Sequence, residues 1–317
     1  MSTPDIPGET AVRPREIPAA GWRQILVRAW SEGNSDHISL IAAGVAFYGL
    51  LALFPAITAL VAIAGLVLDP AQITDQIDQI TSIVPQGAAD IIVGQATEVA
   101  AADNSGLGLA AIFGVLLAIY SSSKGVSSIV EGLTVAYDEE DDRSFIRRTL
   151  VILLLTLGLL VGVAIGVAVV VVLPTVLSIV DLGRTTELLI LAVRWAVLLG
   201  LVTLGIAMLY RFGPSRSGPK WRWLTPGAVL ACLVWIAATA GFAFYAENFG
   251  SYNESFGALS GVIVLLMWLW ISAYILLLGA EVNAEAELQT RVDTTVGQDM
   301  PMGDRGAVKA DTPPPAP

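Results

Sequence analysis

Cysteine, histidine and charged residues are scarce in this chain. Cys232 is the only cysteine, which excludes an intrachain disulfide and a cysteine metal cluster, and with His37 as the only histidine zinc has almost no ligands. Charged residues make up 14% of the 317 residues and hydrophobic residues 55%. Soluble domains carry about 25% charged residues. The composition therefore excludes an ordinary soluble enzyme.

Motifs for catalysis and nucleic-acid binding are absent as well. The sequence has no paired-histidine helix, no Walker loop and no nucleophile elbow. Its 17 Lys and Arg residues are outnumbered by 28 Asp and Glu residues, which argues against a nucleic-acid partner. The acidic run 138–142 resembles a metal site only superficially, because such runs on connectors are usually solvated. We predict no catalytic residue, no metal and no cofactor.

Six segments are long and apolar enough to cross a bilayer, which takes about 20 residues. The first is not a cleaved signal peptide, because residues 1–37 precede it and its apolar stretch is too long. We therefore predict an all-α polytopic membrane protein with six transmembrane helices. The predicted spans are Ile38–Leu68, Leu107–Tyr137, Thr149–Val172, Thr186–Tyr210, Pro226–Ala246 and Gly257–Val282.

The distribution of Lys and Arg predicts how these spans are oriented. Basic residues are enriched in the cytoplasmic loops of membrane proteins. Here the N-terminal segment, the second and fourth connections and the C-terminal tail hold most of the 17 basic residues, whereas the first loop, residues 69–106, holds none. Six spans with both termini in the cytoplasm fit this bias.

The segments outside the spans are polar or amphipathic. Residues 1–18 and 287–317 are polar and rich in proline, so we expect both to be disordered around a membrane domain of residues 19–286. Apolar residues at helical spacing over residues 21–32 predict a helix in the inner headgroup layer, and the alternative is an extension of the first span. Loop 69–106 is expected to form two short amphipathic helices on the outer face.

Glycine and proline predict two packing features. Gly158, Gly162 and Gly166 form a small-residue ridge on the third span, which favours a close helix crossing, with the fifth span as a plausible partner. Pro55 lies deep in the first span and removes a backbone donor there, so a kink is expected.

The second span carries a polar stripe on about a third of its circumference. Intramembrane ionisable residues are costly and usually face a wet cavity or the bundle interior, which makes Lys124 and Glu131 functional candidates. The alternative is that Lys124 snorkels to lipid phosphates at the inner edge of the hydrocarbon. The stripe comprises Tyr120, Ser121, Lys124, Ser127, Ser128 and Glu131.

Two further charged residues lie within spans. Arg194, beside Trp195 near the outer end of the fourth span, is interpreted as an interface anchor. Glu281, near the inner end of the sixth span, is interpreted as an anchoring or capping residue. Both are secondary candidates for a polar site.

Several separate blocks of the sequence carry a resemblance to a known family. They are Ala42-Ala43, Ala46-Phe47-Tyr48, Leu53-Phe54-Pro55, Leu209–Arg216, Trp223–Ala228, Gly241–Tyr245, Asn248–Asn253, Phe256-Gly257, Leu266–Trp270 and Leu278–Asn283. In this order they resemble the YihY/BrkB family of bacterial inner-membrane proteins, long labelled ribonuclease BN, although residues 127–134 keep the family pattern only loosely. The resemblance implies six spans with both ends inside and no settled activity. The ribonuclease label is disfavoured because the residues offer no metal-ligand or acid–base set.

Two function classes remain open at this point. The first is a protein that handles lipid or another amphiphile of the cell envelope through the stripe, with membrane lipids as partners. The second is a structural protein of envelope assembly, in which the stripe and the outer helices contact a protein partner. The first is favoured because a half-polar span needs a wet or ionic partner.

Overall fold

The computed structural model describes residues 6–65, 93–94, 107–177, 183–248 and 258–315, and every structural statement below concerns these residues. Six of their helices are long and apolar enough to cross a membrane, as the sequence predicts. The helices are α1 Ala19–Ser35, α2 Ile38–Gly65, α3 Leu107–Ala136, α4 Phe145–Leu177, α5 Gly183–Phe212, α6 Trp221–Asn248, α7 Ala258–Leu288 and α8 Val308–Asp311, with a 3₁₀ turn at Pro14–Glu16.

The six long helices, α2 to α7, form a bundle whose tightest part lies at the end that carries both chain termini, here called the terminal end. α2 packs along α3, and α7 lies against α2 and α6, while α4 and α5 contact each other and the flanking helices α3 and α6. Most of the largest buried side chains among the described residues lie at the terminal ends of the spans and in the connections beside them, and include Leu133, Tyr137, Tyr210, Leu224 and Leu277. Leu265, in the other half of α7, is also fully buried.

The closest helix crossing joins α6 and α7. A Cβ atom built on Gly227 would overlap the carbonyl oxygen of Gly279, so only glycine fits there. By contrast, a Cβ atom on Gly158 or Gly162 meets nothing within 4 Å among the described residues. Among the described residues, the predicted ridge on α4 therefore makes no close crossing at Gly158 or Gly162. A Cβ atom on Gly166 would be 3.7 Å from Leu201 of α5, an ordinary contact.

The helix that precedes the first span is a separate element. α1 ends at Ser35, and His37, with φ 55°, turns the chain before α2 begins. α1 buries Ile25 and Ala29 and packs against α7. The alternative, an extension of the first span, is therefore wrong. Pro55 lies inside α2, which continues through it, and the kink there stays a prediction.

Both end segments are packed, contrary to the expectation of disorder. In residues 6–18 and 289–315, Ala11, Ile17 and Ala310 are buried. The Thr290 hydroxyl donates to the Ala11 carbonyl oxygen at 2.8 Å, which joins the two segments. The composition of these segments suggested disorder because it does not include the hydrogen-bond acceptors and the apolar surface that hold them. Those groups belong to other parts of the chain. The helices predicted in loop 69–106 lie outside the described residues, apart from 93–94.

Candidate functional site: a polar cleft beside the second span

The stripe of α3 points away from the bundle. Gly125, Val126 and Val130 are buried on the opposite face of α3, where a Cβ atom on Gly125 would be 3.8 Å from Tyr48 of α2. Tyr120 and Lys124 are exposed, and Ser121, Ser127 and Ser128 are partly buried. The small residues of α3 thus let it pack closely on α2 and leave the polar side chains on an open face.

Lys124 and Glu131 do not form a pair. The Lys124 ammonium lies 5.6 Å from the centre of the Tyr120 ring, one turn earlier on α3, in cation–π geometry. It forms no ion pair within the described part of the chain. Lys124 therefore has an aromatic neighbour and no anionic partner there.

Glu131 is paired with the next helix. Its Oε1 atom accepts from Nη2 of Arg148 on α4 at 2.6 Å, and the Glu131 side chain is 62% exposed. The Nε atom of Arg148 is also 3.6 Å from Asp141 Oδ2. Asp141 in turn accepts from Arg143 at 2.7 and 2.9 Å, and this arginine lowers the pKa of the Asp141 carboxyl. A chain of alternating charges therefore connects the stripe with the terminal end.

These charges border a cleft of about 490 Å³, here called the lateral cleft. Ser128 and Glu131 lie within the part of α3 that is long and apolar enough to cross a membrane, near its end at Ala136. Its lining combines carboxylate, guanidinium and hydroxyl groups with aliphatic side chains. The lining residues are Ile41, Gly44, Ser128, Glu131, Thr134, Val135, Asp141 and Arg148.

The secondary candidates lie elsewhere. The Arg194 guanidinium is 6.0 Å from the Trp195 ring on α5, and its buried Nε atom has no acceptor among the described residues. Glu281 on α7 is fully buried, and both of its carboxylate oxygens lack a hydrogen-bond partner there. The structure therefore does not bring Arg194 or Glu281 into the lateral cleft.

The acidic run 138–142 is only partly solvated. Asp138 forms an ion pair with Lys309 of α8 at 2.8 Å, and Glu139 accepts from the Val308 backbone N–H at 2.9 Å. Burial raises the pKa of the Glu139 carboxyl. The expectation of a solvated connector is wrong for Glu139 and Asp141, which are partly buried because the C-terminal segment and Arg143 supply partners for them, whereas the paired Asp138 side chain stays 49% exposed. No group of three or more metal-binding side chains occurs among the described residues.

Sequence reasoning missed an ion network at the terminal end. Glu285 accepts from Arg28 of α1 at 2.5 Å and from Lys309 at 3.0 Å. Glu287 accepts from Arg216 at 2.6 Å, and both side chains are fully buried. Both acids are on the last turns of α7, where polar residues alternate with small or apolar ones from Glu281 to Gln289. That alternation is the feature of the sequence that could have indicated the ion network. The ion network comprises Arg28, Arg216, Glu285, Glu287 and Lys309.

Burial and charge act against each other on Lys309. Burial alone would lower the pKa of its ammonium group, but the carboxylates of Glu285 and Asp138 raise it above the usual range. The same balance holds for Arg216, where Glu287 outweighs burial and raises the pKa. Both groups are therefore held as cations inside the fold.

Comparison with known proteins places the chain in a family. Residues 29–301 match the family model described as virulence factor BrkB. The chain belongs to the BrkB family. This BrkB-family protein is 28% identical over 257 residues to the putative ribonuclease-like protein YfkH of Bacillus subtilis, which covers 80% of this chain and 90% of that one.

Shorter matches join it to other membrane proteins. It is 40% identical over 80 residues to a UPF0761 membrane protein of Tolumonas auensis, a quarter of each chain. It is 33% identical over 85 residues to one of Pseudoalteromonas translucida, which covers 27% of this chain and 28% of that one. No solved structure matches the chain. The resemblance read from the sequence is thereby confirmed, and the protein is a multi-pass membrane protein of the BrkB family.

Proposed function

We propose that this BrkB-family protein binds the headgroup of a membrane lipid, or of a similar amphiphile, in the lateral cleft and moves it across part of the bacterial inner membrane. The observation that carries the proposal is the exposed pair of Glu131 and Arg148 beside that cleft. Charged groups at membrane depth are costly unless a polar partner or water meets them. A headgroup with both a cation and a phosphate supplies partners for both members of the pair.

Three properties of the site support a transport role over a chemical one. The charged and hydroxyl groups of the lateral cleft can bind a polar headgroup and compensate its charges. No cluster of three or more metal-binding side chains occurs among the described residues. Lys124 extends the polar face by about 10 Å along α3 from Glu131, since seven residues separate them. We therefore propose a non-enzymatic protein. In this proposal the terminal end faces the cytoplasm, because basic residues are enriched in cytoplasmic segments of membrane proteins.

The test is lipid movement in vesicles that contain the purified full-length protein. The probe is a fluorescent phospholipid whose transfer from the inner leaflet is followed by chemical quenching outside. We expect transfer above that of protein-free vesicles, and R148Q and E131Q to slow it about tenfold, because each leaves one charge of the pair unmatched. K124A and K124L are expected to slow it as well, since both remove the same cation.

The matched control is R147Q, which removes the same charge one residue away. Arg147 is exposed and does not line the lateral cleft. We expect R147Q to transfer lipid at the wild-type rate. Folded wild-type protein that moves lipid no faster than empty vesicles would contradict the proposal and favour the partner-binding role. Equal rates for R148Q and R147Q would remove the lateral cleft from the mechanism.

A further inference from the structure

A second pocket lies at the terminal end, on different helices from the lateral cleft. The 3₁₀ turn Pro14–Glu16 packs against α6, and Arg13 and Arg15 lie on either side of Pro14 in the sequence. Arg222, the second residue of α6, lines the same pocket, which has a volume of about 620 Å³. The packing of the N-terminal segment thus brings three arginines into the lining of one pocket.

These guanidinium groups lack an anionic partner. Within the part of the chain that the structure describes, Arg13, Arg15 and Arg222 form no ion pair, and the partly enclosed Arg222 has a buried Nε atom with no acceptor. The nearby Glu16 carboxylate forms no ion pair with these arginines, and its Oε2 atom accepts from the backbone N–H groups of Val12 and Arg13 at 2.7 and 3.1 Å. Three like charges at one site favour a bound anion.

The other wall of the pocket is apolar. Val229, Leu230 and Leu233 follow Arg222 along α6 at helical spacing, and Val229 and Leu233 are 40% and 58% exposed. From Arg222 to Leu233 the helix rises about 16 Å. The pocket therefore has positive charge at the end of the bundle and an aliphatic surface along the span. This arrangement is complementary to a phospholipid, which has a charged headgroup and apolar acyl chains.

We propose that this pocket binds an anionic phospholipid, with its phosphate on Arg13, Arg15 and Arg222 and an acyl chain along Val229, Leu230 and Leu233. The guanidinium fork matches phosphate oxygens in geometry and charge. Basic residues beside the cytoplasmic end of a transmembrane helix attract anionic lipid headgroups. A soluble phosphate would use the arginines but not the apolar wall. This site goes beyond the proposed function and does not depend on the lateral cleft.

The test measures lipid binding to the purified full-length protein in neutral detergent. Phosphatidylglycerol and phosphatidylcholine with the same acyl chains are titrated, and bound lipid is counted by native mass spectrometry. We expect tighter binding of phosphatidylglycerol, weakened about tenfold in R222Q and in R15Q, because each loses a charge-assisted contact. The control R23Q, an exposed arginine of α1 outside the pocket, should bind as the wild type does.

Two further measurements distinguish binding of a phospholipid from binding of a soluble anion. L233S should weaken phosphatidylglycerol binding while all three arginines remain, and millimolar inorganic phosphate should not displace the lipid. Equal binding of the two lipids would overturn the proposal, as would R15Q and R222Q that match R23Q. Displacement by phosphate alone would assign the site to a soluble anion and also overturn it. Binding is measured without transport, so failure here leaves the test of the lateral cleft unaffected.

Discussion

The ion network at the terminal end and the polar stripe on α3 use the same residue types in opposite surroundings. In the ion network, the side chains of Glu285, Glu287, Arg216 and Lys309 are at most 5% exposed, and each has an oppositely charged partner. In the stripe, the Glu131 side chain is 62% exposed and has one partner. Lys124 lies over a ring without an ion pair in the described chain.

This difference separates charges that the fold requires from charges that it does not. A buried charge must be compensated inside the protein, so removal of one partner leaves the other in a low dielectric at high cost. An exposed pair contributes little to stability. Stability therefore accounts for the ion network but not for the stripe, and the stripe is the better candidate for contact with a ligand.

The largest expected effect comes from breaking the fully buried pair. R216M leaves the Glu287 carboxylate with only the Thr294 hydroxyl, 2.9 Å from its Oε2 atom. We expect a loss of about 3–5 kcal/mol in the free energy of unfolding. Chemical unfolding in detergent measures it. In the double variant with E287L most of the loss should return, because no unpaired charge remains. An R216M protein as stable as the exposed control R147M would show that the ion network is not required.

The second-largest loss of stability is expected at the α6–α7 crossing, which lies at the same end. In G227A the new methyl group would overlap the Gly279 carbonyl oxygen and crowd Asn283, whose Oδ1 accepts from the Gly227 N–H at 2.7 Å. Overpacking of this kind costs about 2–3 kcal/mol. G158A is the matched control on α4, where the site is open, and we expect no loss. Equal thermal midpoints for the two variants would contradict the assigned crossing.

Much of the fold was readable from the sequence, because hydrophobic length and helical periodicity are local properties. Six spans follow from them. The spacing of Gly158 and Gly162 indicates a possible crossing but not whether a described helix lies opposite them. Gly227 and Ala231 have the same four-residue spacing of small residues, and their close contact with Gly279 depends on how α6 crosses α7.

The same distinction between local and long-range features applies to the candidate site. The stripe was predicted because its residues share one face of one helix. Arg148, which completes the pair with Glu131, lies 17 residues further on another helix. The pairing of Glu285 with Lys309 depends on the C-terminal segment folding back, which composition argued against. Contacts between distant segments are set by the fold and leave little trace in local composition.

The anchoring of the C-terminal segment should depend on pH. Burial would raise the pKa of the Asp293 carboxyl, but hydrogen bonds from the backbone N–H groups of Met300 and Thr295 and from the Thr295 hydroxyl lower it. A lowered carboxyl pKa contributes stability that is present above the unfolded value and lost as pH falls through the folded one. We therefore expect the segment to loosen below about pH 4.

D293N should reproduce part of this loosening at neutral pH, at a cost of about 1–2 kcal/mol. Hydrogen exchange of residues 293–300 measures it, with D299N as the control, since Asp299 is exposed and pairs only with Lys220. Exchange in D293N that equals D299N would mean that these hydrogen bonds do not hold the segment.

The smallest effects on stability are expected in the stripe. E131Q removes one charge of an exposed pair, which is worth about 1 kcal/mol or less. K124L removes a cation that has only the Tyr120 ring, and Lys is costly at a helix centre in a bilayer, by about 2.5–3.5 kcal/mol. K124L should therefore be at least as stable as the wild type in detergent unfolding. A loss above 2 kcal/mol in either variant would place the stripe with the ion network as part of the fold. Near-silent stability together with slowed lipid transfer is the combination expected of a ligand site, because binding groups are kept for an interaction that the folded protein alone does not make.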